Sequence, residues 1–277
     1  MKQILGLYVL ATILAACSAG VCRPGLKEHQ DWYRCEGLTN ISQELQIPGN
    51  AVGIEIVDSD IKTIPTDAFA ALGDSLEELN ITKSGVEEIE PNAFRGLGKL
   101  RVLGLVDNKI RKLNSSWIQD LTYLKNFLVW NNKIVAIDSR IYDLLPNLEV
   151  WDVAYNELVD CLPPEQLKKL TKLKLIYLAG NKWLYRCRRD MTYYLGRNHV
   201  RFVHDWGSSD LLIDECLAHA PHADISDAAL ETCVDQRITN PLAALYAMTQ
   251  NLTTRVNRLE AYVALLNDTY VPLKLRL

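Results

Sequence analysis

Apolar residues return along this chain with a fixed phase. Between Ala51 and Lys182 the pattern L-x-x-L-x-L-x-x-N-x-L-x-x-I recurs at spacings of 24 or 25 residues. Its clearest copy is Leu100, Leu103, Leu105, Asn108, Ile110 and Leu113. Before it come Ala51, Ile54, Ile56, Ser59, Ile61, Ile64 and Phe69, then Leu76, Leu79, Ile81, Ser84, Val86, Ile89 and Phe94. After it come Leu124, Phe127, Val129, Asn132, Ile134 and Ile137, then Leu148, Trp151, Val153, Asn156 and Leu158. A truncated sixth copy is Leu173, Ile176, Leu178, Asn181 and Trp183. Six positions keep their phase from copy to copy, so chance alignment of unrelated amphipathic segments is a poor explanation.

Each copy predicts a short strand. Side chains alternate across a strand, so positions 4 and 6 point inward and positions 3, 5 and 7 point outward. The polar position 9 suits a turn whose buried backbone groups need a side-chain partner. An amide both donates and accepts, so stacked Asn residues form a ladder. Four copies carry Asn there and the first two carry Ser. The Phe at position 19 of the first two copies fills the back of the coil. These are the marks of leucine-rich repeats: an α/β solenoid, here a horseshoe of about six coils. Such a scaffold has a wide binding face and no reaction chemistry of its own.

The period changes near Asn240-Pro241, a good helix start. Leu245, Leu252, Leu259 and Leu266 fall seven apart, and Leu242, Thr249, Val256 and Val263 lie three residues before them. These are the d and a positions of heptads, and Leu at d with β-branched residues at a favours a parallel two-stranded coil. Arg255 at g and Glu260 at the next e can pair between chains. The competing reading is an amphipathic helix docked on the last coil. A shorter helix is expected over 224–233, with Ser226 as its N-cap.

The beginning of the chain reads as a targeting segment. Lys2 is followed by an apolar run, Ile4 to Ala16, which is short for a membrane span. Small residues Cys17 and Ala19 suit cleavage before Gly20. Leu14-Ala15-Ala16-Cys17 also matches a bacterial lipobox, but five sequons at Asn40, Asn80, Asn114, Asn251 and Asn267 favour a eukaryotic secreted glycoprotein. No later apolar run is long enough to span a membrane. The organisation expected is a signal peptide (1–19), an N-terminal cysteine cap (20–50), the repeats (51–183), a C-terminal cap with short helices (184–239) and a coiled-coil helix (240–277).

The cysteines fit an oxidising compartment. Of seven in the chain, six remain beyond the signal: Cys22, Cys35, Cys161, Cys187, Cys216 and Cys233. Cys22 and Cys35 precede the repeats and are paired as a cap. Cys161 and Cys187 fall at positions 14 and 15 of the fifth and sixth copies. Coils stacked about 4.7–4.9 Å apart bring such positions within disulfide reach, which predicts a Cys161–Cys187 pair. Cys216 and Cys233 either pair within the chain or reach a partner subunit.

Composition adds little chemistry. The chain is 48% hydrophobic and 23% charged with net charge −4, and it has no basic stripe of the kind nucleic acid requires. Lys168, Lys169, Lys172 and Lys174 flank repeat leucines and read as a solvated convex face. His199 with His204, and His219 with His222, lack the Cys or carboxylate partners of a metal site. No nucleophile or phosphate-loop motif is found, so no enzyme activity, metal or cofactor is expected. The outward strand positions are more informative. They are polar in the first two copies, where a glycan on Asn80 would shield the face. The later copies present Val102, Val106, Leu128, Trp130, Val150, Leu175 and Tyr177, expected to lie side by side as a protein-binding surface. Coverage of this patch by the C-terminal cap or helices is the alternative.

The order of parts resembles the leucine-rich-repeat immune proteins of mosquitoes. The residues that carry the resemblance are the repeat leucines, Asn181-x-Trp183 leading into Cys187, Cys216 and Cys233, and the Leu245 to Leu266 heptads. The resemblance implies a secreted haemolymph protein of innate immunity. Its expected partners are a complement-like thioester protein or another leucine-rich-repeat chain, with homo- or heterodimers formed through the coil. The chain has about six repeats and no adjacent Cys-Cys pair before the coil, so it resembles the short members. Two other classes fit the same parts: a small leucine-rich matrix protein that binds collagen or growth factors, and a secreted inhibitor-type binding protein.

Overall fold

The computed structural model describes residues 20–25, 31–205, 209–218 and 226–240, together with individual helical positions between 245 and 260. Residues 1–19, the expected signal peptide, lie outside the described residues. The chain divides into two compact units, Met1–Trp183 with Asp190–Asp205, and Leu184–Arg189 with Trp206–Leu277.

The first unit is a leucine-rich-repeat solenoid. Its main sheet has nine strands, ordered as in the sequence. They are β1 (Val21–Pro24), β2 (Trp32–Glu36), β3 (Gly53–Val57), β4 (Glu78–Thr82) and β5 (Val102–Gly104). Then come β6 (Asn126–Leu128), β7 (Val150–Asp152), β8 (Leu175–Tyr177) and β9 (Arg201–Val203). Strands β2 to β9 are parallel to their neighbours, and β1 is antiparallel to β2. The sheet therefore extends past the six repeats at both ends. β2 and β9 supply coil strands from segments whose sequence lacks the repeat pattern. Antiparallel β1 closes the N-terminal edge, and the register that places Cys22 opposite Cys35 lets their disulfide staple it.

Alternation works as the pattern requires. Leu79, Ile81, Leu103, Leu105, Phe127, Val129, Trp151, Val153, Ile176 and Leu178 are all completely buried. Full burial of such a side chain contributes roughly 1.5–3 kcal/mol, and this repeating layer is the main source of stability. Short elements close the back of each coil: two-residue strands Thr63–Ile64 with Glu88–Ile89 and Lys112–Leu113 with Ala136–Ile137, and the single-turn helices α1 (Ile41–Glu44), α2 (Ile141–Leu144) and α3 (Pro164–Leu167). Phe69 and Phe94 stack there with centroids 5.8 Å apart. In later coils Ile118 and Tyr142 take that place, both buried.

The Asn ladder forms. Asn132 accepts from the Ile110 N–H (3.1 Å) and donates to the carbonyls of Leu105 (2.7 Å) and Val129 (3.1 Å). Asn108, Asn156 and Asn181 repeat the arrangement, each reaching one coil back. The residue before each ladder position is left-handed: Asp58, Lys83, Asp107, Asn131, Tyr155 and Gly180, with φ between 48° and 66°. Gly, Asn and Asp tolerate that conformation, whereas Tyr does not readily do so.

Lys168 pairs with Glu165 in its own coil, whereas the lysines after it reach back by one coil. Lys169 pairs with Asp143, Lys172 bonds Asn147, Lys174 pairs with Glu149 and Lys182 pairs with Glu157. His199 ends helix α4 (Tyr185–Arg197) in a left-handed conformation, with the Val200 N–H donating to the Leu195 carbonyl at 3.0 Å. That is a helix C-cap, which explains His199 without a ligand. His204 stacks on Phe202, while His219 and His222 lie outside the described residues.

The second unit is helical. Helices α5 (Ser209–Ala218) and α6 (Asp227–Thr239) are joined by Cys216–Cys233, with Cα atoms 6.1 Å apart. The pair is intramolecular, so neither cysteine serves a partner subunit. Its core is Tyr185, Leu212, Ile213, Cys216, Leu230 and Val234. Ser226 caps α6 by accepting from the Ala229 N–H. The helix continues beyond the expected Cys233 to Thr239, where Asn240 is its C-cap. Asn240 thus ends α6, and the helix start expected at Pro241 lies outside the described residues. The Tyr185 hydroxyl donates to Asp235 at 2.8 Å, and burial with this bond pushes its pKa up to about 12. Cys161 and Cys187 are both disulfide-bonded.

Candidate binding face of the sheet

Register converts the outward positions into three rows across the sheet. The first runs Gly53, Glu78, Val102, Asn126, Val150, Leu175, Arg201. The second runs Glu55, Asn80, Gly104, Leu128, Asp152, Tyr177, Val203. The third continues each strand by two residues: Val57, Thr82, Val106, Trp130, Ala154, Ala179. Val102, Val106, Leu128, Val150, Leu175 and Tyr177 are half-buried, and Trp130 is exposed.

These residues are brought to one face, but they do not form the unbroken apolar patch that their neighbouring coils led us to expect. Asn126 stands between Val102 and Val150, and Asp152 stands between Leu128 and Tyr177. Apolar contact survives where Val150 faces Leu175. The polar interruptions follow from composition: alternation fixes which way a residue points, not whether it is apolar.

The carboxylates at the N-terminal end of the face have partners within the chain. Arg34 bonds Glu36 and Glu55, each at 2.7 Å. Asn80 donates to Glu78 at 3.0 Å. Its side chain lies over Gly104, where an added Cβ would approach the Asn80 amide oxygen to 2.2 Å. A larger residue at 104 would displace Asn80, and a glycan on the Asn80 nitrogen would compete with the Glu78 bond. The sequons at Asn40 and Asn114 are freer. Each uses its carbonyl oxygen as a helix cap, toward Gln43 and Ser116 respectively. Asn251 and Asn267 lie outside the described residues.

At the other end, Asp152 is half-buried. One oxygen accepts from the Ala154 N–H at 3.0 Å. Burial raises the Asp152 carboxyl above its ordinary value, and the Ala154 bond offsets part of that rise. Trp130 and Tyr155 meet edge to face, with centroids 6.4 Å apart. Tyr155 is a residue that strand periodicity missed, because it lies at position 8, just past the strand. Its signal was a bulky side chain in a slot that other coils give to Asp, Asn, Lys or Gly.

Of the heptad residues, Leu245, Leu252, Val256 and Leu259 are helical and 50–65% exposed. Thr249, Arg255 and Glu260 are helical and exposed as well. Leu242, Val263 and Leu266 lie outside the described residues. Among the described residues no group of side chains is arranged to hold a metal, and no helix is long and apolar enough to cross a membrane.

Known proteins share the repeats. The leucine rich repeat family profile matches residues 54–110 and 74–127. Opticin of Bos taurus is 30% identical over 125 residues, 45% of this chain and 36% of opticin. Toll-like receptor 3 of Homo sapiens is 32% identical over 117 residues, 41% of this chain and 13% of the receptor. Podocan of Mus musculus is 24% identical over 138 residues, 49% of this chain and 22% of podocan. Among solved structures, a complex of TLR13 with ssRNA13 superposes with a TM-score of 0.51 at 24% identity, covering 58% of this chain and 23% of that one. The matched stretch thus spans about a third or less of these relatives' lengths. The similarity fixes the repeat fold, and it reaches Toll-like receptors as well as opticin and podocan.

Proposed function

We propose that this chain is a secreted leucine-rich-repeat binding protein of innate immunity. Its sheet face takes a pathogen component or a complement-like thioester protein, and its C-terminal helix associates with a second chain. The observation that carries the reading is a row of exposed heptad residues, Leu245, Leu252, Val256 and Leu259, in a chain that also carries a nine-stranded repeat sheet. Exposed aliphatic residues at a and d positions match what a parallel partner helix covers. The disulfides support an oxidising, extracellular setting. With Cys216 and Cys233 joined to each other, association through the helix is non-covalent as far as these cysteines are concerned.

Similarity to opticin and podocan favours a second reading, an extracellular matrix protein. Affinity capture from haemolymph with the secreted full-length chain separates the two. Recovery of a thioester protein, increased after bacterial challenge, supports the immune reading. Recovery of collagen or growth factors with no dependence on challenge replaces it with the matrix reading. Sedimentation tests the helix independently: the native chain is expected to be a dimer or to form a heterodimer, and Leu252→Asp with Leu259→Asp to be monomeric. Equal masses for the native chain and the variant, with unchanged capture, would remove helix-mediated association.

A further inference from the structure

From the sheet face we infer a binding site for one arginine side chain of a protein ligand, with Asp152 as its anion and Trp130, Tyr155 and Tyr177 as its walls. The inference rests on the face being the binding surface and names the chemistry that it recognises.

The occupancy of the outward carboxylates supplies the first argument. The outward carboxylates nearer the N-terminus are already occupied, Glu55 by Arg34 and Glu78 by the Asn80 amide. Asp152 has no ion pair among the described residues. Its Oδ1 takes the Ala154 N–H, and its Oδ2 has no protein partner among them. The strand register places Leu128 on one side of it and Tyr177 on the other, each about 4.8 Å away along the sheet. A half-desolvated carboxylate between apolar walls binds a cation more strongly than an exposed one, because less water competes.

The walls supply the second argument. Trp130 and Tyr155 are 37% and 55% exposed, and they hold each other edge to face. Tyr155 adopts φ 52°, a left-handed conformation that is strained for a bulky residue. Its ring lies against Gly180, where an added Cβ would come within 2.5 Å of it. The ring is therefore held in place, and the third row beside it carries only Ala154 and Ala179, which leaves room in front of the aromatic pair. A planar guanidinium can stack on such rings while donating to Oδ2. An ammonium has no flat face to stack, so arginine is favoured over lysine.

The probes are N-acetyl-arginine methylamide, its uncharged citrulline isostere and N-acetyl-lysine methylamide, titrated into the full-length protein and followed by the Trp130 indole N–H resonance. The arginine probe is expected to shift that resonance in a saturable way and to bind roughly tenfold or more tightly than citrulline. Asp152→Asn keeps the bond to Ala154 and is expected to erase the difference. Equal binding of arginine and citrulline probes, unchanged discrimination in Asp152→Asn, or tighter binding by the lysine probe overturns the assignment. Capture of the protein partner keeps this apart from the broader reading. Loss in Trp130→Ala with full retention in Asp152→Asn removes the arginine site and leaves the face as the binding surface. Full retention in both Trp130→Ala and Tyr177→Ala, with the fold intact, removes the face and the arginine site together.

Discussion

The first two coils place Ser59 and Ser84 where the next four place Asn108, Asn132, Asn156 and Asn181. The difference is one of mechanism. Each Asn reaches into the preceding coil and satisfies both a donor and an acceptor there. The Ser84 hydroxyl reaches only the Thr82 carbonyl in its own coil, and the Ile61 N–H of the coil before bonds the Ser84 backbone carbonyl instead, at 2.8 Å. Cohesion at this end comes from the back of the coil, where Phe69 and Phe94 stack. Ser59 does reach back, accepting from the Leu38 N–H at 3.0 Å, but the hydroxyl has no amide with which to donate there as Asn does. At the ladder position, then, the step from Ser84 to the first coil is made by backbone, and the later steps are made by side-chain amides. Equivalent positions in a repeat need not share the same load.

The largest expected effect tests the aromatic end. Phe94 is completely buried, and Phe94→Ala should cost about 4 kcal/mol in urea unfolding, concentrated in the first two coils. Hydrogen exchange should show loss of protection there and little change near Asn156. Uniform loss along the array would mean that the two ends are not separate in stability. Next is Asn132→Ala, which leaves the Ile110 N–H and the Leu105 carbonyl without that partner, while the Val129 carbonyl keeps its bond from Asn156, and should cost about 3 kcal/mol. Ser84→Ala, by contrast, loses a single bond and should cost about 1 kcal/mol. Equal costs would erase the comparison.

A smaller effect belongs to the charged edge of the amide-laddered end. Lys174 and Lys125 hold the Glu149 carboxyl at about 2, against an ordinary 4.5. Its folded value is the lower one, so its contribution is complete above about pH 4.5 and is lost as pH falls toward about 2. Glu149→Gln should lower stability at neutral pH slightly and flatten the acid limb over that window. The pair is solvent-screened, so 0.5 M salt should shrink the difference. A variant with an unchanged acid limb would show that these lysines do not stabilise Glu149.

Much of this was legible in the residues. Inward leucines, the Asn ladder and the Cys22–Cys35 cap each follow from a rule that acts at one position or between neighbouring coils. What escaped has a common cause. β2 and β9 borrow their register from the adjoining strand, so Trp32–Glu36 and Arg201–Val203 join the sheet without carrying the repeat. The break in the sheet face at Asn126 and Asp152 depends on which residues become cross-strand neighbours, and that was visible only once the rows were aligned. Tyr155 was overlooked because alternation ends with the strand, while the left-handed residue after it still projects at the rim.

The smallest expected effect is also the sharpest about what the two serines mean. If Ser84 were simply a degraded Asn, Ser84→Asn would extend the ladder and stabilise the chain. The hydrogen bonds argue otherwise. In the ladder, the Asn oxygen serves the N–H at position 11 of the preceding coil, and here that group, on Ile61, is already bonded to the Ser84 carbonyl. Ser84 is fully buried, so a longer amide would bring polar atoms into a site with no unmet donor at that position. We expect Ser84→Asn to be destabilising by about 1 kcal/mol or less, read from the urea midpoint at constant slope. A gain of about 1 kcal/mol would show that the backbone bond is the weaker solution and that the first two coils are an incomplete version of the later ones.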